Sequence, residues 1–109
     1  MNPPNTEYSL SFDELRKNRV SVSSHKYGSA KINFGKRLVN ALDSAALCIK
    51  KYMDTHNTEY LCDAANYIMF EFMYPCFDDA FFTATASHES AGISGISIKE
   101  MENIKNENY

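Results

Sequence analysis

The sequence predicts an all-α fold centred on an antiparallel helical hairpin, residues 31–54 and 58–74, with short flanking helices, completed as a bundle by self-association. Three observations predict it. Gly35, Leu38, Leu42, Ala45, Ile49 and Tyr52 recur at alternating spacings of three and four, the seam that helices use when they pack nearly antiparallel. Residues 59–74, EYLCDAANYIMFEFMY, are apolar on nearly every side, broken only by Glu59, Asp63, Asn66 and Glu71, so the helix they form must be enclosed from several directions. The connector between them, Asp54-Thr55-His56-Asn57-Thr58, is short and polar, which makes the two helices antiparallel neighbours.

The flanking elements follow from local signals. Residues 1–10 carry Pro3, Pro4 and Asn5 and read as an extended arm. Ser11-Phe12-Asp13-Glu14 has the capping-box pattern, a hydroxyl at the N-cap and a carboxylate three residues on, and predicts a short helix through about Asn18. Val20 and Val22 alternate with polar residues over 19–24 and suggest a brief extended segment, followed by a turn over 25–29. In the first hairpin helix Lys36, Arg37, Asn40, Asp43, Lys50 and Lys51 occupy the faces away from the seam. Asn57 or Thr58 caps the second, whose matching seam is Leu61, Ala65, Ile68 and Phe72. Pro75 stops that helix, and Phe77, Phe81 and Phe82 are expected to fold back onto the hairpin. Residues 87–97 read as a Gly/Ser loop, and Ser97-Ile98-Lys99-Glu100 opens a final helix to about Asn106.

A chain of 109 residues predicts one small domain, 1–109, with a viable but marginal core. The formal net charge of -3 argues against direct nucleic-acid binding through phosphate neutralisation and fits a partner protein with a basic surface. No apolar run is long enough to span a bilayer, and MNPPNTEYSL has neither a basic nor an apolar leader region, so a cytoplasmic protein with no membrane association is expected. Cys48, Cys62 and Cys76 lack the pairing of a zinc knuckle or redox motif and read as reduced thiols.

The second hairpin helix carries more apolar and aromatic side chains than one partner helix covers. Tyr60, Tyr67 and Tyr74 fall seven apart as one stripe, and Cys62, Asn66, Met69 and Met73 form another. Two readings follow: a homodimer in which two hairpins make a four-helix bundle, or a recognition surface, where tyrosine and methionine are favoured. The candidate partner-binding residues are Tyr60, Tyr67, Tyr74, Asp78, Asp79 and Glu89. Asp63, Asn66 and Glu71 are instead structural polar groups at an internal junction, with Arg37, Lys36 or Arg16 as candidate partners.

Catalytic residues, metal ligands and cofactors are not expected. Glu59 and Asp63 are one residue too far apart for the ExxE and ExxD magnesium spacings of the all-α nucleoside triphosphate pyrophosphatases, and Asp43 and Asp54 supply no ExxE on the other helix. His25, His56 and His88 lie in separate predicted loops, and no Ser or Cys has an identifiable base. Gly92, Gly95 and the adjoining serines suggest a weak anion-binding nest, which keeps a nucleotide binder, either a signalling-nucleotide sponge or a degenerate pyrophosphatase, as the alternative function.

About half of the chain carries a resemblance. YMDTHNTEYLCDAANYIMFEFMYP, followed by FFTATASHESAGISG, resembles a group of short phage and prophage proteins with an N-T-E-Y-L-x-D-x-A-N-Y-x-M-x-E-F-M-x-P core and no assigned activity. The resemblance implies a phage setting, hence a bacterial host cytoplasm. In that setting small acidic proteins work by occupying a host protein, including the effectors of defence systems such as CRISPR. Non-enzymatic inhibition of a host defence or regulatory protein is the function it implies.

Overall fold

Side-chain hydrogen bonds at the N-cap mark where the first three helices begin. In the computed structural model, which describes residues 1–89 and residue 91, the first helix starts earlier than the capping box at Ser11 predicts. Ser9 Oγ accepts from the Phe12 N–H at 3.0 Å, and α1 runs unbroken over Leu10–Tyr27. The extended segment expected at 19–24 is therefore helical. Gly28 ends the helix: its φ of 88° lies in the left-handed region that side chains disfavour, and its N–H donates to Ser24 O at 3.0 Å.

The helix expected over 31–54 is two helices. A single turn, α2 (Ala30–Asn33), is capped by Ser29, whose Oγ accepts from Lys31 N–H at 3.1 Å. The chain then loops, with Arg37 at φ 59° and Val39 N–H donating to Asn33 O at 2.9 Å. Asn40 caps α3 (Ala41–Thr55), its Oδ1 accepting from Asp43 N–H at 3.0 Å. Gly35 and Leu38 thus lie in the loop and outside the seam. Asn40, placed by the sequence on an outer helix face, is the cap that restarts the helix.

The hairpin itself is present. His56, at φ 62°, closes α3 by donating its N–H to Tyr52 O at 2.7 Å. Asn57 Oδ1 accepts from Glu59 N–H at 3.1 Å, and α4 follows over Glu59–Met73. The helices α3 and α4 pack against each other, and α1 packs on α4 from another side. The described residues form helices and no strands, and no helix among them is long and apolar enough to cross a membrane.

The core is built from small groups. Ala41 and Ala45 of α3 are buried together with Cys62, Ala64 and Phe70 of α4. Because α4 is flanked by both α1 and α3, it is buried on two sides, Cys62, Asn66 and Phe70 on one and Ala64 on the other, and neither is the predicted seam of Leu61, Ala65, Ile68 and Phe72. Ile68 is 54% and Phe72 72% exposed. Phe34, carried in by α2, stacks on Phe70 with ring centroids 4.7 Å apart. Phe77, Phe81 and Phe82 do not fold back, since Phe34 already covers this aromatic position; all three are exposed. Ser87–Glu89 form a 3-10 turn at the start of the predicted Gly/Ser loop. The rest of that loop, apart from Ala91, and the predicted helix to Asn106 lie outside the described residues.

A side chain at position 35 has no room. An added Cβ would strike the backbone carbonyl of Lys31, which cannot swing aside as a side-chain tip can. Gly35→Ala is expected to destabilise the fold by about 1–3 kcal/mol, the usual range for overpacking. Chemical denaturation followed by circular dichroism checks it.

Candidate functional site

Residues three and four apart share a helix face, so Arg16, Arg19, Val20 and Ser23 form one side of α1. That side is turned to α4. Arg19 grips Asp63 with two parallel bonds, Nε to Oδ1 at 3.0 Å and Nη2 to Oδ2 at 3.1 Å, and Glu59 adds an Oε1 at 3.5 Å from Nη2. Arg16 Nη1 donates to Asn66 Oδ1 at 3.3 Å, while Asn66 Nδ2 returns a bond to Arg16 O at 3.0 Å. No residue of α1 is buried, so this polar clasp, rather than a greasy stripe, holds the helix in place.

The sequence names Arg16, Lys36 and Arg37 as candidate partners for Asp63 and Asn66. Arg16 meets Asn66, but Asp63 is held by Arg19, which the sequence reading placed in an extended segment. Arg37 instead pairs with Asp78 across the loop, Nη2 to Oδ1 at 2.7 Å. Glu71 Oε2 accepts from the Cys76 N–H at 2.8 Å and so fixes the direction in which the chain leaves α4 after Pro75.

Between α1, α2 and α4 lies a cleft of about 600 Å3, with Phe34, Tyr67 and Phe70 on one wall and Ser23, Ser24 and Asn33 among its polar lining. Tyr67 meets Phe34 edge-on at 6.0 Å, and burial pushes its hydroxyl pKa up. Of the three tyrosines expected to form a partner-facing stripe, Tyr67 is therefore committed to the internal aromatic cluster. Tyr60 and Tyr74 are half-buried. The cleft's guanidinium is already engaged: its hydrogen bond to Asp63 raises the Arg19 pKa. Burial likewise raises the pKa of the nearby Cys48 thiol, which keeps it protonated and a poor nucleophile. Among the described residues, no group of three or more His, Cys, Asp or Glu could hold a metal ion.

The acidic candidates lie elsewhere, past α4. Asp78 has a side chain 94% exposed, and Asp79 is exposed beside it. Glu89 is also exposed, its Oε2 accepting from Ala86 N–H at 3.1 Å within the 3-10 turn. Around the two aspartates stand Phe77, 64% exposed, Phe81, 87%, and Phe82, 84%. The sequence predicts the aspartates as contact residues and the phenylalanines as core; the structure leaves all five exposed to solvent.

Removing the clasp should free α1 before it unfolds the hairpin. Asp63→Ala is expected to cost roughly 1 kcal/mol, the low end for charged hydrogen bonds because Arg19 is partly solvated. Hydrogen exchange should then show α1 amides losing protection while those of α3 and α4 keep theirs.

No protein-family model, no curated protein and no solved structure matches this chain.

Proposed function

We propose that this chain acts by binding, as a stoichiometric, non-catalytic inhibitor of a host protein, with residues 77–82 as its leading contact. The observation that carries the reading is the exposure of Phe77, Phe81 and Phe82 around Asp78 and Asp79. Clustered exposed aromatics gain free energy only when a partner covers them, and phenylalanine is among the residues favoured in interfaces. The paired carboxylates select a groove rimmed by Lys or Arg. Tyr60, Tyr74 and Glu89 extend the candidate surface at its edges.

A basic groove that normally holds nucleic acid has this chemistry, and the resemblance to phage proteins is the ground for proposing a target among host defence or regulatory proteins, a CRISPR effector being one example. The site of action is then the bacterial host cytoplasm, and the inhibitor works as a homodimer. The nucleotide alternative belongs to the loop over 87–97, of which only 87–89 and 91 lie within the described residues; the cleft lends it no support, since Arg19 there is matched by Asp63 and Glu59.

Affinity capture from host lysate with the full chain, followed by mass spectrometry, tests this reading. A captured protein that is lost with Phe81→Ala/Phe82→Ala, and that saturates near one protomer or one dimer per target, supports it. Asp78→Lys/Asp79→Lys should slow association and reduce its salt dependence, because exposed charges steer encounter and are screened over about 8–10 Å near physiological ionic strength. Multiple turnover of a nucleoside triphosphate, abolished by Asp63→Ala, would reverse the assignment.

A further inference from the structure

Among the described residues, none packs on one face of the hairpin. On α3 the buried or half-buried positions 41, 45, 48 and 52 lie against α4, and the next residue round the helix from each is Leu42, Ala46, Ile49 and Met53. On α4 the positions toward α3 are 60, 64, 67 and 71, and the same step gives Leu61, Ala65, Ile68 and Phe72. Viewed from one end, antiparallel helices advance in opposite rotational senses, so both rows emerge on the same side. The clasp to α1, through Asp63 and Asn66, occupies the other side of α4. The face is uncharged and largely open: Leu42 is 43%, Ile49 44%, Met53 69%, Ile68 54% and Phe72 72% exposed, while Leu61 and Ala65 are half-buried.

We infer that this face is covered by a second copy of the chain, with α3 antiparallel to the partner's α3 and α4 antiparallel to the partner's α4 about one two-fold axis. Both rows are self-complementary in that arrangement. With the axis level with the midpoint of Ala46 and Ile49, each Ala46 meets an Ile49 and each Leu42 meets a Met53. On α4 the corresponding midpoint of Ala65 and Ile68 pairs those two residues, and pairs Leu61 with Phe72. The two midpoints lie at one height, because each is equally distant along the chain from the reversal at Asn57. One axis therefore satisfies both rows, as an isologous interface requires. At the outer edge of α3 the same axis brings each Asp43 beside a Lys50, so two charge pairs flank the apolar centre.

This deepens the binding reading by assigning the hairpin face to self-association and leaving residues 77–82 to the other partner. Light scattering on the full chain at about 10 µM is expected to give twice the 12.4 kDa chain mass. Ile68→Glu should return the mass to that of one chain with helical circular dichroism unchanged, since position 68 is open in the single chain. Asp43→Lys and Lys50→Asp should each weaken the dimer on the order of tenfold, from two exposed pairs turned repulsive, and the double variant should recover. A wild-type mass of one chain, a doubled mass that survives Ile68→Glu, or a double variant no tighter than the single ones overturns the inference. Loss of dimerisation with partner capture intact, or the reverse, separates its failure from that of the functional reading.

Discussion

The enclosure of α4 is the constraint on which the rest of the structure depends. Its residues are apolar on nearly every side, and the described chain supplies cover for only part of the circumference. The alanines Ala41, Ala45 and Ala64 bring α3 close along one side. Phe34 fills the next arc by stacking on Phe70, and that contact accounts for α2: a single helical turn followed by a loop delivers one aromatic ring. The clasp of Arg16 and Arg19 secures the third arc. What remains is the row from Leu61 to Phe72, continuous with Leu42, Ile49 and Met53, which no other described residue covers.

The two open surfaces differ in chemistry, and this separates their roles. The hairpin face is helical and uncharged at its centre, with large and small residues in a symmetric order along each row. The segment over 77–82 is irregular, acidic and aromatic, anchored at its base by the bond from Cys76 to Glu71. A self-complementary helical face suits assembly of identical copies, whereas a charged extended segment gains most from a surface of opposite sign. In the proposed scheme assembly sits on helices and recognition on a loop, so that one can change without the other.

The hairpin was legible because its second helix combines a long apolar run with a polar connector, both of which are local signals. Helix α1 was not. Its docking face is Arg16, Arg19, Val20 and Ser23, so no apolar period marks it, and the alternation of Val20 and Val22 reads as a strand. The break between α2 and α3 was hidden for a related reason: Asn40 is equally at home on a solvated helix face and at an N-cap, and only the bond to Asp43 N–H distinguishes the two. Of the site, the aspartates were readable from their place after Pro75. The exposure of Phe77, Phe81 and Phe82 was not, because the ring that stacks on Phe70 is that of Phe34, a contact between residues far apart in the chain.

The account turns on which side of α4 is closed and which is open, and thiol accessibility in an Ile68→Cys variant reads both at once. At low protein concentration the introduced thiol should be modified quickly, while native Cys62, 5% exposed, is modified only on unfolding. Raising the concentration should slow modification at position 68 and leave Cys62 as it was. Equal reactivity at the two positions, or a rate at position 68 that does not change with concentration, would contradict the account.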